Sequence, residues 1–193
     1  MVADIPVFLR ANAVNDGVLS KLWDLIVASP AKDEVISSLR KLEPNARDVD
    51  LRADPLLSFR SRVALRIENG ESSQAPIGSF GEGITWMFAL ALAAAATPGR
   101  LLLVDDIDAG LHHRVMADMW TMIIDAAQRR DLQVFATTHS IDCLRALHRV
   151  CAADPIRAEA IRIVRVVKGR SSGITFDADE LDVAIEGELE VRG

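Results

Sequence analysis

The spacing of apolar residues predicts a helical first part of the chain, followed by a strand pair. Apolar residues recur at helical intervals over residues 19–26 and again over 35–39, with Ser29-Pro30 separating the two segments. Residues 62–68 instead alternate large apolar side chains with small or charged ones, which predicts a half-buried strand. The pair Asn69-Gly70 then predicts a hairpin turn, with the chain returning toward residues 75–77.

From Ser79 onward the pattern alternates between helices and strands, which indicates an α/β fold. The predicted helices cover about 82–96, 111–130 and 140–152, and Pro98-Gly99 ends the first of them. The predicted strands cover 101–104 and 132–137. Because residues 101–104 are all apolar, we expect both faces of that strand to be covered. Residues 161–167 and 173–176 predict a terminal hairpin, and the acidic tail at 177–190 predicts a solvated helix face.

Length and composition indicate a folded globular domain. The chain has 193 residues, of which 50% are apolar and 26% charged, enough for one domain with a sizeable core. The net charge of −6 gives no support for binding to nucleic acid or an anionic membrane. Five basic residues near the C-terminal end are interpreted as a solvated strand edge and turn rather than a binding patch: Arg157, Arg162, Arg165, Lys168 and Arg170.

The sequence also predicts a cytoplasmic protein. No secretory signal is visible at residues 1–6, and the longest apolar stretch, 87–96, is too short to span a bilayer. Cys143 and Cys151 fall on one predicted helix, where their Cα atoms would lie about 12 Å apart, too far for a disulfide. We therefore expect two buried, reduced thiols.

Candidate chemistry first appears at Asp105 and Asp106, which end an apolar strand. In open α/β sheets ligands bind at the carboxyl ends of the strands. One carboxylate there can hold Mg²⁺, and its neighbour can orient or deprotonate an attacking water. Alone, such a pair is more often a turn or a helix cap, but the flanking motifs favour the interpretation as a ligand site.

Those flanking motifs are a glycine-containing loop and a histidine. The loop SFGEG at residues 79–83, called the glycine loop below, opens a predicted helix whose free amides favour an anion. In isolation the motif favours an ordinary serine-capped loop. His139 follows the predicted strand at 132–137, and its imidazole there can reach a γ-phosphate or the attacking water, although a lone histidine is more often structural.

Taken together, residues 76–147 resemble the C-terminal half of a soluble ABC-type ATPase, close to the RecF/SMC-like and overcoming-lysogenization-defect (OLD) group. The glycine loop matches the signature loop of that family. Residues 101–106 match the Walker B strand, 108–112 the D-loop region and 137–140 the switch-histidine segment. The resemblance implies a partial P-loop NTPase (ABC-type, AAA-like) sheet flanked by helices. Residues 1–60 would form a helical, insertion-like section before a β-hairpin, and residues 61–193 the half-domain itself.

The resemblance further implies a head-to-tail dimer that encloses ATP. Carried over by position, Asp105 would assist Mg²⁺, Asp106 would be the catalytic carboxylate and His139 would contact the γ-phosphate. Four residues of the glycine loop would touch a nucleotide held by the opposite subunit: Ser79, Gly81, Glu82 and Gly83. ATP and Mg²⁺ would bind only in a site completed by a Walker A-bearing chain or segment, in a homo- or hetero-dimer. The family also suggests nucleic acid as a partner, by analogy alone.

The sequence departs from the family pattern in three places. No Gly-x-x-x-x-Gly-Lys-Ser/Thr phosphate loop occurs in the 193 residues. Asp106 stands where the family commonly has glutamate, and a reach shorter by about an ångström can lower a rate by roughly 10²-fold. The helix after the glycine loop begins Ile84-Thr85-Trp86, without the basic residue often found there.

Two alternatives to an ATPase half remain open. The chain can be a regulatory or interaction module that keeps the half-fold without nucleotide chemistry. It can also be a small metallohydrolase that uses Asp105, Asp106, Asp108, His112 and His113. Against the latter, we expect adjacent histidines on a helix to point about 100° apart and not to share one ion. Trp23, Trp86 and Trp120 are interpreted as packing groups.

Overall fold

The computed structural model describes residues 6–53, 61–69, 71–97, 99, 101–166, 169, 171–177 and 180. The strands are β1 (Val7–Arg10), β2 (Ala46–Ala53), β3 (Ser61–Asn69), β4 (Glu71–Pro76), β5 (Leu101–Asp105), β6 (Gln133–Ala136), β7 (Ile163–Arg165) and β8 (Ile174–Phe176). The helices are α1 (Asp16–Ile26), α2 (Ala31–Leu39), α3 (Glu82–Ala96), α4 (Met116–Arg130), α5 (Ile141–Ala153) and α6 (Pro155–Glu159).

A parallel sheet of order β1-β5-β6 lies at the centre of the fold. Its register pairs Phe8 with Leu103 and Leu103 with Phe135, so these three side chains form one row across the sheet. Two further sheets are antiparallel: β2-β3-β4, and the pair β7-β8. The chain is thus a mixed α/β protein with a parallel sheet and flanking helices, as its sequence predicts.

Helices cover one face of the parallel sheet along β1 and β5. Leu9, Leu102 and Val104 are buried on the helix-covered side. On the other side Phe8 is 55% and Phe135 is 57% exposed, and Leu103 between them is half-buried. This second side is called the open face below. The expectation that both faces of β5 are covered is therefore wrong for the described residues, because apolar composition alone does not say which faces find a partner.

Helix α3 forms the core on the covered side. It is apolar around its whole circumference, as expected for a helix enclosed by other elements, and residues 86–94 are all buried. Helices α1, α2 and α4 pack against it, and α1 also packs against β3. The alanines of α3 allow this close approach. Trp23, Trp86 and Trp120 are buried in this layer, which confirms their interpretation as packing groups.

We expect a helical section up to residue 60, but the structure shows that this section also contains strands. It contains β1, which belongs to the central sheet, and β2, which pairs with β3. Strand β1 has only four residues, too few to display a period. The expected boundary between residues 60 and 61 falls beside 54–60, outside the described residues.

Helix α4 begins later than the predicted residue 111. Gly110 has φ 68°, outside the helical region, and a single 3₁₀ turn over His113–Val115 precedes α4. The other predicted elements are present, including the hairpin of β3 and β4 and the pair β7 and β8. Gly70, Pro98, Lys168, Arg170 and most of the acidic tail lie outside the described residues.

Cys143 and Cys151 are both buried and unbridged on α5, as predicted. Within the described ranges, no helix combines the length and the apolar character that crossing a bilayer requires.

Candidate functional site

Asp105 lies at the carboxyl end of the central strand β5, and Thr137 holds this end of the strand with four hydrogen bonds. The Thr137 hydroxyl donates to Asp105 Oδ1 over 2.9 Å and accepts from the backbone N–H of Asp106 over 3.0 Å. The backbone of Thr137 continues the ladder: its N–H donates to Val104 O, and its carbonyl accepts from Ile107 N, each over 2.9 Å. One residue after β6 therefore fixes both candidate aspartates.

Asp106 adopts a left-handed backbone conformation, with φ 53°. Residues with a β-carbon rarely adopt it, although aspartate tolerates it better than most. The carbonyl of Asp106 also accepts from Ala109 N over 2.9 Å, which closes a turn directly after the strand. The chain thus turns sharply at the sheet edge, and the Asp106 side chain remains exposed.

A cleft of about 460 Å³ brings Asp106 and His139 together. Its walls come from the two loops that follow β5 and β6. They consist of Asp106, Asp108, Ala109, His139, Ser140, Ile141 and Asp142. The sequence motifs predict instead that Asp105 and His139 share one crevice, since the carboxyl ends of neighbouring parallel strands meet at one edge. The structure places Asp106, the next residue, in the cleft with His139 and leaves Asp105 outside it.

Hydrogen bonds between the two segments, and within the segment after β6, shape this cleft. The Thr138 hydroxyl donates to Asp108 Oδ1 over 2.5 Å and accepts from Ser140 N over 3.1 Å. The Ser140 hydroxyl caps helix α5 by accepting from Cys143 N over 3.2 Å. His139 is exposed between these anchored residues. Its imidazole is thus carried on a fixed backbone with access to solvent.

The cleft is predominantly acidic. Three carboxylates, Asp106, Asp108 and Asp142, line it together with one histidine. Arg145 approaches Asp142 at 3.5 Å, but this pair is more than half exposed on both sides and therefore weak. A polyanion would require additional positive charge or amide donors to bind here.

Asp105 lies at the same sheet edge but does not line this cleft. Its Oδ2 accepts from Arg10 Nε over 3.2 Å, while its Oδ1 accepts from Thr137. The side chain is 40% exposed, so a cation can approach it from solvent. Oxygen ligands from Asp105 and Asp106 match the preference of Mg²⁺, which usually takes one or two carboxylates together with phosphate oxygens. The residues present therefore fit this ion.

The glycine loop lies apart from the cleft. None of its residues belongs to the two segments that line the cavity. Ser79, Gly81 and Glu82 are exposed, whereas Gly83 is half-buried against the chain at Gly110. The Ser79 hydroxyl donates to Pro76 O over 2.7 Å, a contact back to the last residue of β4.

Trp86 connects the helix after this loop to the candidate aspartates. The indole Nε1–H of Trp86, on α3, donates to the carbonyl of buried Ile107 over 2.8 Å. Ile107 follows Asp106 directly. The glycine loop and the turn at Asp106 are thus joined through one buried hydrogen bond.

Three contributors to this site are missing from the sequence-based prediction: Arg10, Trp86 and Thr137. Thr137 stands two residues before His139, so its position near the site could have been predicted. Its bonds to Asp105 and Asp106 could not, because they follow from strand pairing. Arg10 is separated from Asp105 by 95 positions, and only the pairing of β1 with β5 joins them. No local pattern encodes either contact.

The geometry gives little support to a dedicated metal centre. Within the described ranges, no three His, Cys, Asp or Glu side chains form a group that could hold a metal ion. The expectation that the rings of His112 and His113 point apart is wrong: their centroids lie 4.0 Å apart. The reason is that His112 is extended, at φ −72° and ψ 142°, and precedes the helical turn.

The C-terminal arginines engage carboxylates. Arg157 Nε donates to Asp125 over 2.9 Å, and Arg157 also pairs with Asp154 at 3.3 Å. Arg162 lies 3.5 Å from Asp177. These pairs engage the described arginines with carboxylates, as expected if the region is not a binding patch. The interpretation as a strand edge is wrong for Arg157, which lies on helix α6 and pairs with Asp125 of α4. Lys168 and Arg170 lie outside the described residues.

Comparisons with known proteins agree with this architecture. A solved structure described as "Structural biochemistry of ATP-driven dimerization and DNA stimulated activation of SMC ATPases" superimposes with a TM-score of 0.55. It is 16% identical, and the match covers 93% of this chain and 100% of that one. The Smc head domain with a coiled coil and joint from Pyrococcus yayanosii gives a TM-score of 0.51 at 17% identity. That match covers 82% of this chain and 29% of the other. At these identities the likeness is one of fold.

A search of curated proteins finds no match. The sequence model of one protein family matches residues 18–144, more than half of the chain, and its description is "AAA domain, putative AbiEii toxin, Type IV TA system". The matched range includes the glycine loop, both candidate aspartates and His139. The chain therefore belongs to this AAA-domain family, and it has the mixed α/β, P-loop NTPase-like fold of SMC and ABC ATPases.

Proposed function

We propose that this chain supplies one half of a composite site that binds and hydrolyses ATP. The observation that carries the proposal is the shared cleft of Asp106 and His139, at the carboxyl edge of a parallel sheet in an AAA-family domain. In this proposal the chain contributes the Walker B carboxylates, the switch histidine and the signature loop. A phosphate-loop segment outside these 193 residues contributes the lysine and the backbone amides that bind the phosphates of the nucleotide.

The proposed roles follow from position and chemistry. Asp105, at the end of β5, would help to hold Mg²⁺, which when bound supplies positive charge to the phosphate oxygens. Asp106 would accept a hydrogen bond from the attacking water and take its proton. His139 would donate a hydrogen bond to a γ-phosphate oxygen. Thr137 would keep both carboxylates in place through its bonds to Asp105 and Asp106.

The charge of the cleft supports a composite site rather than a self-sufficient one. Three carboxylates repel a triphosphate, and the sequence has no Gly-x-x-x-x-Gly-Lys-Ser/Thr motif to offset them. The missing lysine and backbone amides must therefore come from elsewhere. On this proposal the isolated chain has little affinity for ATP.

The open face supports a location for the completing segment. By strand alternation, Asp105 stands on the same face as Leu103, two residues earlier. A strand added beside β6 and followed by a helix on the open face would bring the helix N-terminus to the carboxyl edge, near Asp105. Free amides at that terminus favour phosphate. Covering Phe8 and Phe135 would also remove exposed apolar surface from water.

Exposure of the glycine loop supports a role toward a second protomer. Ser79, Gly81 and Glu82 are exposed and do not line the cleft, so with Gly83 they would close on a nucleotide held by the opposite subunit. We therefore propose that the chain acts in a homo- or hetero-dimer. A cytoplasmic setting and a nucleic-acid partner belong to the same proposal, the latter by analogy with the family only.

The test uses the full chain together with a Walker A-bearing polypeptide, the proposed completing segment, supplied as a separate component. ATP hydrolysis is measured for each component and for the mixture, with Mg²⁺ present. We expect activity only in the mixture, and a fall of at least about tenfold with Asp105→Asn or His139→Ala. The control is Asp24→Asn, on the exposed side of α1. Activity that both site substitutions leave unchanged would refute the proposal.

A non-catalytic regulatory module remains the second candidate. The shorter carboxylate at Asp106 favours it, as does the bond that commits the Ser79 hydroxyl to Pro76 O. Such a module would bind its partner with equal affinity in the presence and absence of ATP. It would also bind equally well after Asp105→Asn and His139→Ala, which a pull-down or calorimetric titration measures directly.

A further inference from the structure

Arg10 lies at the end of β1 and faces Asp105 directly across the parallel pairing. Its Nε donates to Asp105 Oδ2 over 3.2 Å. The other carboxylate oxygen, Oδ1, accepts from the Thr137 hydroxyl. Each oxygen of Asp105 thus has a donor from a neighbouring strand or the loop after it, and one of the two donors carries a positive charge.

The two donors differ in how firmly they are held. Thr137 is anchored by backbone hydrogen bonds to Val104 and Ile107. The Arg10 side chain is 55% exposed, and an exposed ion pair of this kind is readily broken. Arg10 is therefore the displaceable partner of Asp105, whereas Thr137 stays hydrogen-bonded to Asp105 Oδ1.

Arg10 also lies over the open face. Its guanidinium carbon is 5.2 Å from the ring centroid of Phe8, within range of a cation–π contact. The same side chain thus touches an exposed apolar ring and the candidate Mg²⁺ carboxylate. An element that packs directly on this face of the Phe8 ring displaces Arg10 from it, and a cation that binds Asp105 Oδ2 is repelled by Arg10.

We propose that Arg10 occupies the cation position of Asp105 in the uncompleted site and weakens the binding of divalent metal until it is displaced. The inference rests on the proposed function for the role of Asp105. Covering the open face and releasing Asp105 then become one event, because both require the same guanidinium to move. A divalent cation would therefore bind Asp105 more tightly once the open face is covered.

The test is a Mn²⁺ titration of the full chain without nucleotide at low ionic strength. Free Mn²⁺ is followed by electron paramagnetic resonance, and its location by broadening of the amide signals of Asp105 and Asp106. Arg10→Ala and Arg10→Gln should each tighten Mn²⁺ binding about two- to fivefold. The gain should shrink as salt screens the charges. Arg10→Lys keeps the charge and should stay close to the wild type.

The matched control is Arg47→Ala, which removes another exposed ion pair, to Glu68 on the antiparallel sheet. It should leave Mn²⁺ binding unchanged. If Arg10→Ala and Arg10→Gln, both folded by circular dichroism, bind Mn²⁺ as the wild type does, the inference is wrong. Asp105→Asn separates this failure from that of the proposed function. If the substitution abolishes the Mn²⁺ broadening, Asp105 is the cation ligand even where the inference about Arg10 fails. If the broadening remains, Asp105 does not bind the cation, and both the inference and the proposed role of Asp105 are wrong.

Discussion

A β-carbon on Gly83 would lie 2.9 Å from the carbonyl oxygen of Gly110, closer than van der Waals contact allows. The start of helix α3 therefore packs directly on the backbone of the turn that follows β5. The Trp86 indole reinforces this contact by donating to Ile107 O on the same turn. The glycine loop and the candidate aspartates are coupled by packing even though they face different directions.

This contact predicts that Gly83→Ala destabilises the protein. The clash with a rigid carbonyl should lower the free energy of unfolding by about 1–3 kcal/mol, measured by urea denaturation. Gly78→Ala is the matched control, because nothing lies within 4 Å of its added β-carbon, and it should change stability by less than about 0.5 kcal/mol. Equal stabilities of the two variants would show that the close packing is absent.

The left-handed backbone of Asp106 predicts that two substitutions that both remove the carboxylate differ in their free energies of unfolding. Asp106→Gly accepts φ 53° without strain, so its free energy of unfolding should equal or exceed that of the wild type. Asp106→Ala should fall below Asp106→Gly by about 1–2 kcal/mol. Both should lose ATP hydrolysis in the completed site. Equal stability of the glycine and alanine variants would contradict this backbone geometry.

The open face predicts that Phe135 contributes little to folding. Phe135→Thr keeps strand propensity and should change the free energy of unfolding by less than about 0.5 kcal/mol. Leu102→Ala, on the covered side of the same sheet and fully buried, should cost about 2–5 kcal/mol. Light scattering should also register weaker self-association of Phe135→Thr. A cost comparable to that of Leu102→Ala would mean that the face is already covered.

The burial of Cys143 predicts an inert thiol and a loss of stability at high pH. Burial, together with the negative charge of Asp108, raises the pKa of Cys143 from 9.0 to about 12. Native protein should resist iodoacetamide at this position at pH 8, whereas unfolded protein reacts.

The sign of the pH effect follows from proton binding. Above pH 9 the unfolded thiol loses its proton while the folded one keeps it, so the free energy of unfolding falls by up to about 1.4 kcal/mol per pH unit toward pH 12. Cys143→Ala should lack this contribution. Identical pH profiles of the wild type and Cys143→Ala would contradict the predicted shift.

Local sequence determined most elements of this protein and the position of its candidate site. Helix α3 spans the predicted residues 82–96 because its apolar run is bounded by the glycine loop and by Pro98-Gly99. Asp105 and His139 were predicted to meet at one sheet edge because each stands at the end of a strand of the expected parallel sheet; both lie at that edge, although Asp106 rather than Asp105 lines the cleft with His139. Such features depend on periods and end signals within a few residues, which the chain carries locally.

Tertiary structure alone decided which strands pair and which faces are covered. The pairing of β1 with β5 brings Arg10 to Asp105, and that of β5 with β6 brings Thr137 to both aspartates. A four-residue strand is too short to show the alternation that identifies a strand. The sequence of an apolar strand is also the same whether one or both of its faces are covered. Long-range contacts of this kind depend on the free energy of the assembled sheet, which no local segment of the sequence contains.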